Sequence, residues 1–424
     1  MEVASYRIGG LIALKTLSDV ASRLSSFLLL LLAARFLDPF EFGLFSLAWA
    51  TGWIISIASD LGLQLFVARE VARAPGQADQ FVPTLFRLRL CLGLILFGAI
   101  GLAHWMLWWD KGGAIFLGLV LVQLLSSVIE FFNHLFRGFG RSDLESWANL
   151  LHRLGALLAG GSVLATRPSL SLLTFALLSV AAVIALLAWF WAVKLVRESK
   201  KSDEALRSDP GRDTTSLSRR FLTEILPIGL GILASGVYFR IDLLFLEWFR
   251  DTSAVGRYTA VFRLVDAARL FPAAVLAVLF PSLCRSRSRS LATVLVAGLG
   301  LVAIVGTLFL RFRPRELILF LYAEPYASAG PALSILALAL PPLFVNLVLT
   351  HQLIAWRRPL SYMWACVVVL ILTIPLNAIL ISWGGAVGAA WATLGRELFL
   401  SAICGGLIWF RPTPGPEERV QERS

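Results

Sequence analysis

Apolar residues in this chain come in runs of twenty or more, separated by short polar stretches, from one end to the other. A helix rises about 1.5 Å per residue, so a run of that length matches a hydrocarbon core roughly 30 Å thick. The pattern predicts twelve helical spans, over residues 8–34, 42–68, 84–109, 114–136, 144–166, 170–193, 221–248, 255–283, 290–310, 328–355, 360–382 and 386–410. The expected fold class is an all-α polytopic membrane protein.

Composition strengthens that reading. Of 424 residues, 58% are hydrophobic and 15% charged, and the mean hydropathy is +0.78. Soluble domains sit near 45–50% apolar and about 25% charged. The first span has a charged interior and no small-residue cleavage site, so it does not read as a signal peptide. Cys91, Cys284, Cys366 and Cys404 lie in or beside apolar segments without metal-ligand spacing, which argues against a disulfide framework or a zinc site.

The net charge of +11 would suggest nucleic acid as the partner of a soluble protein. Here topology accounts for it. With the N-terminus in the cytoplasm, 21 of the 38 Lys and Arg fall in the termini and loops on that side, and far fewer fall opposite. The positive-inside rule then puts both termini in the cytoplasm, and no nucleic-acid partner is expected.

The longest polar segment, "KLVRESKKSDEALRSDPGRDTTSLSRR", is charged and carries Pro and Gly. It divides the chain into an N-terminal six-helix lobe (1–193), a cytoplasmic linker loop (194–220), a C-terminal six-helix lobe (221–410) and a disordered tail (411–424). The halves echo each other. "DPFEFGLFSLA" (Asp38–Ala48) opens the second span and "DTSAVGRYTAV" (Asp251–Val261) the eighth, each with an Asp, a Gly five residues on and an aromatic–small pair. That is the pattern of a parallel six-helix repeat.

Several spans are amphipathic in a membrane sense. At 100° per residue, Lys15, Ser18, Asp19, Ser22, Arg23 and Ser26 share one face of the first span. Asp19 can pair with Lys15 or Arg23, each four residues away. Gln123, Ser126, Ser127, Glu130, Asn133, His134 and Arg137 share a face of the fourth span; Arg263, Asp266 and Arg269 share one of the eighth. The second carries Ser56, Ser59 and Asp60, and the fifth Asn149, His152 and Arg153. In the seventh, Arg240 and Asp242 point to nearly opposite sides and cannot pair within their helix; Asp242 shares a face with Ser235, and Arg240 with Glu247.

A charge in a membrane span costs several kcal/mol, roughly 2.5–3.5 on insertion scales. Any one of these residues could serve only to lock helices together. As a set they imply a water-filled cavity lined by Lys15, Asp19, Arg23, Asp60, Arg240, Asp242, Arg263, Asp266 and Arg269. Its deep bases outnumber its deep acids in the first and eighth spans, which suits an anionic substrate, and Arg suits phosphate because its fork donates two parallel hydrogen bonds. Glu130 and His134, four residues apart, read either as a proton relay or as a packed polar pair. Most of the 14 Trp lie at span ends, where aromatic belts sit.

Nothing in the sequence resembles an enzyme. There is no GxxxxGK[ST] to cradle ATP phosphates, the His are dispersed, and the longest outside segment, Arg311–Ala327, is too short for a glycan polymerase or ligase domain. No catalytic residue, metal or cofactor is expected.

Four stretches carry a resemblance. "RFLDPFEFGLFSLAWATGWIISIASDLGLQLFVAREVAR" (Arg35–Arg73), "LPIGLGILASGVYFRIDLLFL" (Leu226–Leu246), "VGRYTAVFRLVDAARLFPAAVLAVLFPSL" (Val255–Leu283) and "PLNAILISWGGAVGAAWATLGREL" (Pro375–Leu398) resemble the polysaccharide-transporter flippases of the multidrug/oligosaccharidyl-lipid/polysaccharide exporter superfamily. The similarity keeps order and spacing over nearly the whole chain. It implies two six-helix lobes in a V around a central cavity, working by alternating access. The implied substrate is an undecaprenyl-pyrophosphate-linked oligosaccharide, carried across the bacterial cytoplasmic membrane for O-antigen, capsule or exopolysaccharide assembly. Membrane lipids, a polysaccharide polymerase and assembly proteins are implied partners, and a proton or sodium gradient the implied drive. The rival expectations are a lipid II-type flippase, a small-molecule antiporter of the same superfamily, and a membrane scaffold that transports nothing. Acidic residues would suit the drug antiporter's cations, and a scaffold would not need a wet centre.

Overall fold

The computed structural model describes residues 2–108, 112–206, 221–286, 289–322, 324–356 and 358–410. Among these the chain is helical with no β-strand, and it divides into two compact units, Met1–Leu233 and Ala234–Ser424.

The first unit holds α1 (Glu2–Phe36), α2 (Pro39–Asp60), α3 (Leu63–Arg73), α4 (Ala78–Trp108), α5 (Gly113–Gly138), α6 (Ser142–Thr166), α7 (Leu170–Leu206) and the start of α8 (Leu226–Phe249). α1 lies along α6, while α5 touches α2, α3, α4, α6 and α7. The core joins Val67 and Val71 of α3 to Phe131, Phe132, Leu135 and Phe136 of α5 and to Ala188 and Ala192 of α7. The second unit holds the rest of α8, then α9 (Thr252–Ala268), α10 (Leu270–Ser286), α11 (Arg289–Phe312), α12 (Pro314–Leu321), α13 (Gly330–Leu338), α14 (Leu340–Ala355) and α15 (Pro359–Phe410). Within it α14 packs on α10, α11 and α15.

Eight helices among the described residues are long and apolar enough to cross a bilayer, nine if the bent pair Glu324–Leu338 and Leu340–Ala355 is one span. The sequence pattern predicts twelve. The difference has physical causes: α6 carries Asp143, Glu145 and Arg153 among its apolar residues; α9 and α10 are 17 residues each; and the last two expected spans run together as α15.

Three expected spans are interrupted. The second breaks after Asp60, where Leu61 (φ 44°) and Gly62 (φ 88°) are left-handed. Only glycine adopts that region without strain. The eighth breaks at Arg269, because Pro272 lacks the N–H that would bond the Ala268 carbonyl and its ring crowds that carbonyl. The tenth bends by 43° at Ala339. There Pro341 cannot bond the Ala337 carbonyl, and the Thr307 hydroxyl of α11 donates to it instead at 2.7 Å. A neighbouring helix thus satisfies the group that proline releases. In α15 the kink falls on Gly385 (φ 54°, ψ −128°).

The expected linker loop needs a correction at its start. α7 continues through Leu206, so residues 194–206 are helical. Lys194 stands 3.9 Å from Glu198, and Lys200 reaches Asp79 at 3.0 Å. Polar composition alone did not distinguish a solvated helix end from a loop. Residues 207–220 and the tail 411–424 lie outside the described residues.

The sequence echo has a common local structure. The Asp38 carboxylate accepts from the Glu41 N–H at 2.8 Å and N-caps α2; the Asp251 carboxylate accepts from the Ala254 N–H at 2.6 Å and N-caps α9. Each satisfies an orphan donor of the first turn.

Candidate functional site: buried charges in each unit

In the first unit, α1, α5 and α6 bring four charges together. Lys15 donates to Asp19 at 2.9 Å and to Glu145 of α6 at 2.8 Å. Arg137, at the end of α5, donates to the same Glu145 carboxylate. Glu145 is 1% exposed and the hub of the cluster. Two cations face two carboxylates, so the group is close to neutral. Arg23, two turns beyond Lys15, is exposed on α1 and has no ion-pair or hydrogen-bond partner among the described residues.

Asp60 has a different task. Its carboxylate accepts from the backbone N–H groups of Gly62 and Gln64, each at 3.2 Å, across the break between α2 and α3. Arg89 of α4 donates to it at 2.8 Å and also grips the carbonyl and hydroxyl of Ser127 on α5 at 3.0 and 2.5 Å. Arg89 is 2% exposed. Asp60 therefore fastens an elbow between helices, and its charge is already compensated.

The Glu130–His134 pair does not form a direct relay in this geometry. His134 Nδ1 lies 3.0 Å from the Glu130 carbonyl of its own helix and 3.9 Å from the Glu130 carboxylate. Nearby, Asn133 donates to Asn149 of α6 at 2.9 Å.

In the second unit, three guanidiniums converge on one carboxylate. Asp266 of α9 accepts from Arg240 of α8 at 3.0 Å and from Arg263 at 3.3 Å, and Arg269 lies 3.9 Å away. Arg269 also stacks 4.2 Å over the ring of Phe239, and Arg240 lies 5.0 Å from the same ring. Ring faces attract cations, yet they do not neutralise charge. The cluster retains a positive surplus. Arg269 has the longest ion pair and the most exposed side chain of the three, at 30%, so it is the member most free to take another partner.

Asp242 stands apart from this cluster. As the helical wheel requires, it faces away from Arg240, and it accepts from the Tyr258 hydroxyl at 2.9 Å. The helix pair Arg396–Glu397 lies buried in α15. Arg396 donates to Glu397 at 3.0 Å and to the Tyr238 carbonyl at 2.9 Å. Three groups were thus missed as site residues from sequence. Arg89, two residues after Arg87, and Arg396, beside Glu397, form no stripe along a helix face, and Glu145 sits one turn before the polar face read for its helix. Charge within an apolar run was the available signal.

Comparison with known proteins places these features. A family model described as polysaccharide biosynthesis protein matches residues 11–287. The chain belongs to the polysaccharide biosynthesis protein family. No curated protein matches this family member in sequence. Solved structures do match in fold. An inward-facing multidrug resistance MATE family transporter of the MOP superfamily superposes with a TM-score of 0.71 at 14% identity, covering 92% of this chain and 93% of that one. The lipid II flippase MurJ in an inward closed conformation gives 0.65 at 14%, covering 93% and 87%. A MATE protein in a straight conformation gives 0.61 at 14%, covering 94% of each. The first two of these structures are a transporter and a flippase, and the likeness is one of fold. With eight or nine helices long and apolar enough to cross a bilayer among the described residues, the chain is a multi-pass membrane protein.

Proposed function

We propose that this protein is a flippase that moves an undecaprenyl-pyrophosphate-linked oligosaccharide across the bacterial cytoplasmic membrane by alternating access, with both termini in the cytoplasm. The carried unit serves polysaccharide assembly, alongside a polymerase and assembly proteins. The observation that carries the reading is the positive surplus inside the helices: three guanidiniums against one carboxylate at Asp266, together with the unpartnered Arg23. Uncompensated cations in a membrane protein are costly, and an anionic substrate offsets that cost. A pyrophosphate offers several acceptor oxygens to such forks. Multidrug antiport of cations fits this surplus poorly. Membership of a polysaccharide biosynthesis family supports a glycan-bearing lipid as the anion.

The test is flipping of undecaprenyl-pyrophosphate-linked oligosaccharide by the purified protein in proteoliposomes. Arg23→Ala and Arg269→Ala should each slow flipping ten- to hundred-fold, about 1.4–2.7 kcal/mol, while each protein still inserts and folds. If Arg23→Gln flips at the normal rate, Arg23 has no role in the substrate site.

A further inference from the structure

Three buried carboxylates of the second unit take no part in the Asp266 cluster: Asp242 is 2% exposed, Glu397 4% and Glu247 8%. Glu247 accepts from the Thr252 hydroxyl at 3.0 Å. Glu397 is held by charge and by hydrogen bonds. Arg396 donates to its Oε1 from Nη2 at 3.0 Å and from Nε at 3.3 Å, and Asn346 donates to its Oε2 at 2.8 Å. Asp242 has no ion-pair partner among the described residues. Its oxygens accept only from neutral donors, the Leu243 N–H and the Tyr258 hydroxyl, each at 2.9 Å. Tyr258 Oη in turn lies 3.1 Å from Thr393 Oγ1 of α15, and either of these hydroxyls can be the donor.

The charged and titratable groups facing Asp242 are few. Tyr258 faces it from α9. Arg396 acts on it from α15, and Arg240 from its own helix. Both guanidiniums are already bonded to other carboxylates, Arg396 to Glu397 and Arg240 to Asp266. Asp242 thus has no cation bonded to it, and burying an ionised carboxylate that accepts only from neutral donors costs more than burying the neutral acid.

The hydrogen bonds suit both protonation states. When Asp242 is ionised, Tyr258 donates to it. When Asp242 is neutral, its own O–H donates to Tyr258, whose hydrogen turns to Thr393. Oδ1 keeps the Leu243 N–H in both states, and no side chain has to move. Among the described residues, no group of three or more His, Cys, Asp or Glu is placed to hold a metal ion.

We propose that Asp242 is a proton-binding site, whose carboxylate takes one proton from water and returns it to water in each transport cycle. The role in a cycle rests on the flippase reading above; the proton's presence on Asp242 does not.

Infrared difference spectroscopy on the purified full chain in lipid nanodiscs, neutral against alkaline buffer, tests the site directly. The wild type should lose a protonated-carboxyl carbonyl band on alkalinisation. Asp242→Asn should lack that band from the start, and Glu397→Gln should retain it. Asparagine keeps an acceptor for Leu243 and Tyr258, so the variant should fold, and its melting temperature checks this. A band that survives in Asp242→Asn, or no band in the wild type, overturns the proposal. In proteoliposomes, an inward–outward pH difference should speed flipping several-fold in the wild type and not at all in Asp242→Asn. Flipping by the wild type that ignores the pH difference and follows a sodium gradient overturns the coupling role. If the band behaves as expected but no form flips the lipid-linked oligosaccharide, the proton site stands and the flippase reading fails.

Discussion

The two units solve the same problem, charge inside membrane helices, in different ways. In the first, Glu145 is enclosed by Lys15 and Arg137, and Lys15 also holds Asp19. Acids and bases balance, and the cluster ties α1, α5 and α6 together. In the second, Asp266 faces Arg240, Arg263 and Arg269 by itself. Acids and bases do not balance there. A neutral cluster needs nothing further and serves packing; a cluster with surplus charge is complete only when an anion joins it. Breaking one partner of a buried pair leaves an uncompensated charge and costs about 3–5 kcal/mol, so the two clusters should respond differently to the same kind of substitution.

The largest effect is expected in the balanced cluster. Glu145→Gln leaves Lys15 and Arg137 without their shared counter-charge and should destabilise the protein by about 3–5 kcal/mol, read as a lowered unfolding midpoint in detergent. Adding Lys15→Met should recover part of that loss. No recovery would mean that Lys15 and Glu145 are not coupled. In the unbalanced cluster the response should invert. Arg269→Ala removes surplus charge, so the unfolding midpoint should hold or rise while flipping falls ten- to hundred-fold. Arg269→Lys should rescue flipping only in part, because the charge survives but the fork does not.

An effect of similar size is expected at the elbow between α2 and α3. Asp60→Asn keeps one acceptor for Gly62 or Gln64 but leaves the buried Arg89 without its counter-charge, at a cost of about 3–5 kcal/mol. Hydrogen exchange at the amides of Gly62 and Gln64 should accelerate. The smallest belongs to the surface. Arg141 and Asp143 make a two-pronged pair at 2.9 and 2.8 Å at the start of α6. That bond holds the Asp143 carboxyl below the usual carboxylate range. The pair is exposed and screened, so Arg141→Ala should cost less than about 1 kcal/mol. Its contribution is present near neutral pH and fades only as pH falls through the lowered Asp143 value.

Much of the fold could be read from the sequence because helices in a bilayer need long apolar runs, and these were visible. The N-cap aspartates at Asp38 and Asp251 were also legible, since a cap acts within three residues of itself. The polar faces of α1, α5 and α9 could be read for the same reason, as could the inability of Arg240 to pair with Asp242. What escaped depends on residues far apart in the chain. Nothing near Arg89 indicates that its partner is Asp60, 29 positions earlier. Nor does the polar face beginning at Asn149 show that Glu145 would become the hub for Lys15, 130 residues away. The helix breaks at Pro272 and Pro341 had a local signal in the prolines. Whether a membrane helix breaks at a proline depends on what satisfies the freed carbonyl, and for Ala337 that is Thr307 of another helix.

The central claim is that the charge surplus around Asp266 exists to receive an anion. Affinity for undecaprenyl pyrophosphate, measured by titration into the purified protein in nanodiscs, tests it most directly. Asp266→Asn removes the internal competitor for Arg240, Arg263 and Arg269 and should tighten binding, while Arg269→Ala should weaken it about tenfold, near 1.4 kcal/mol. Equal affinity for the wild type, Asp266→Asn and Arg269→Ala would contradict the account, because the surplus would then be a feature of helix packing alone.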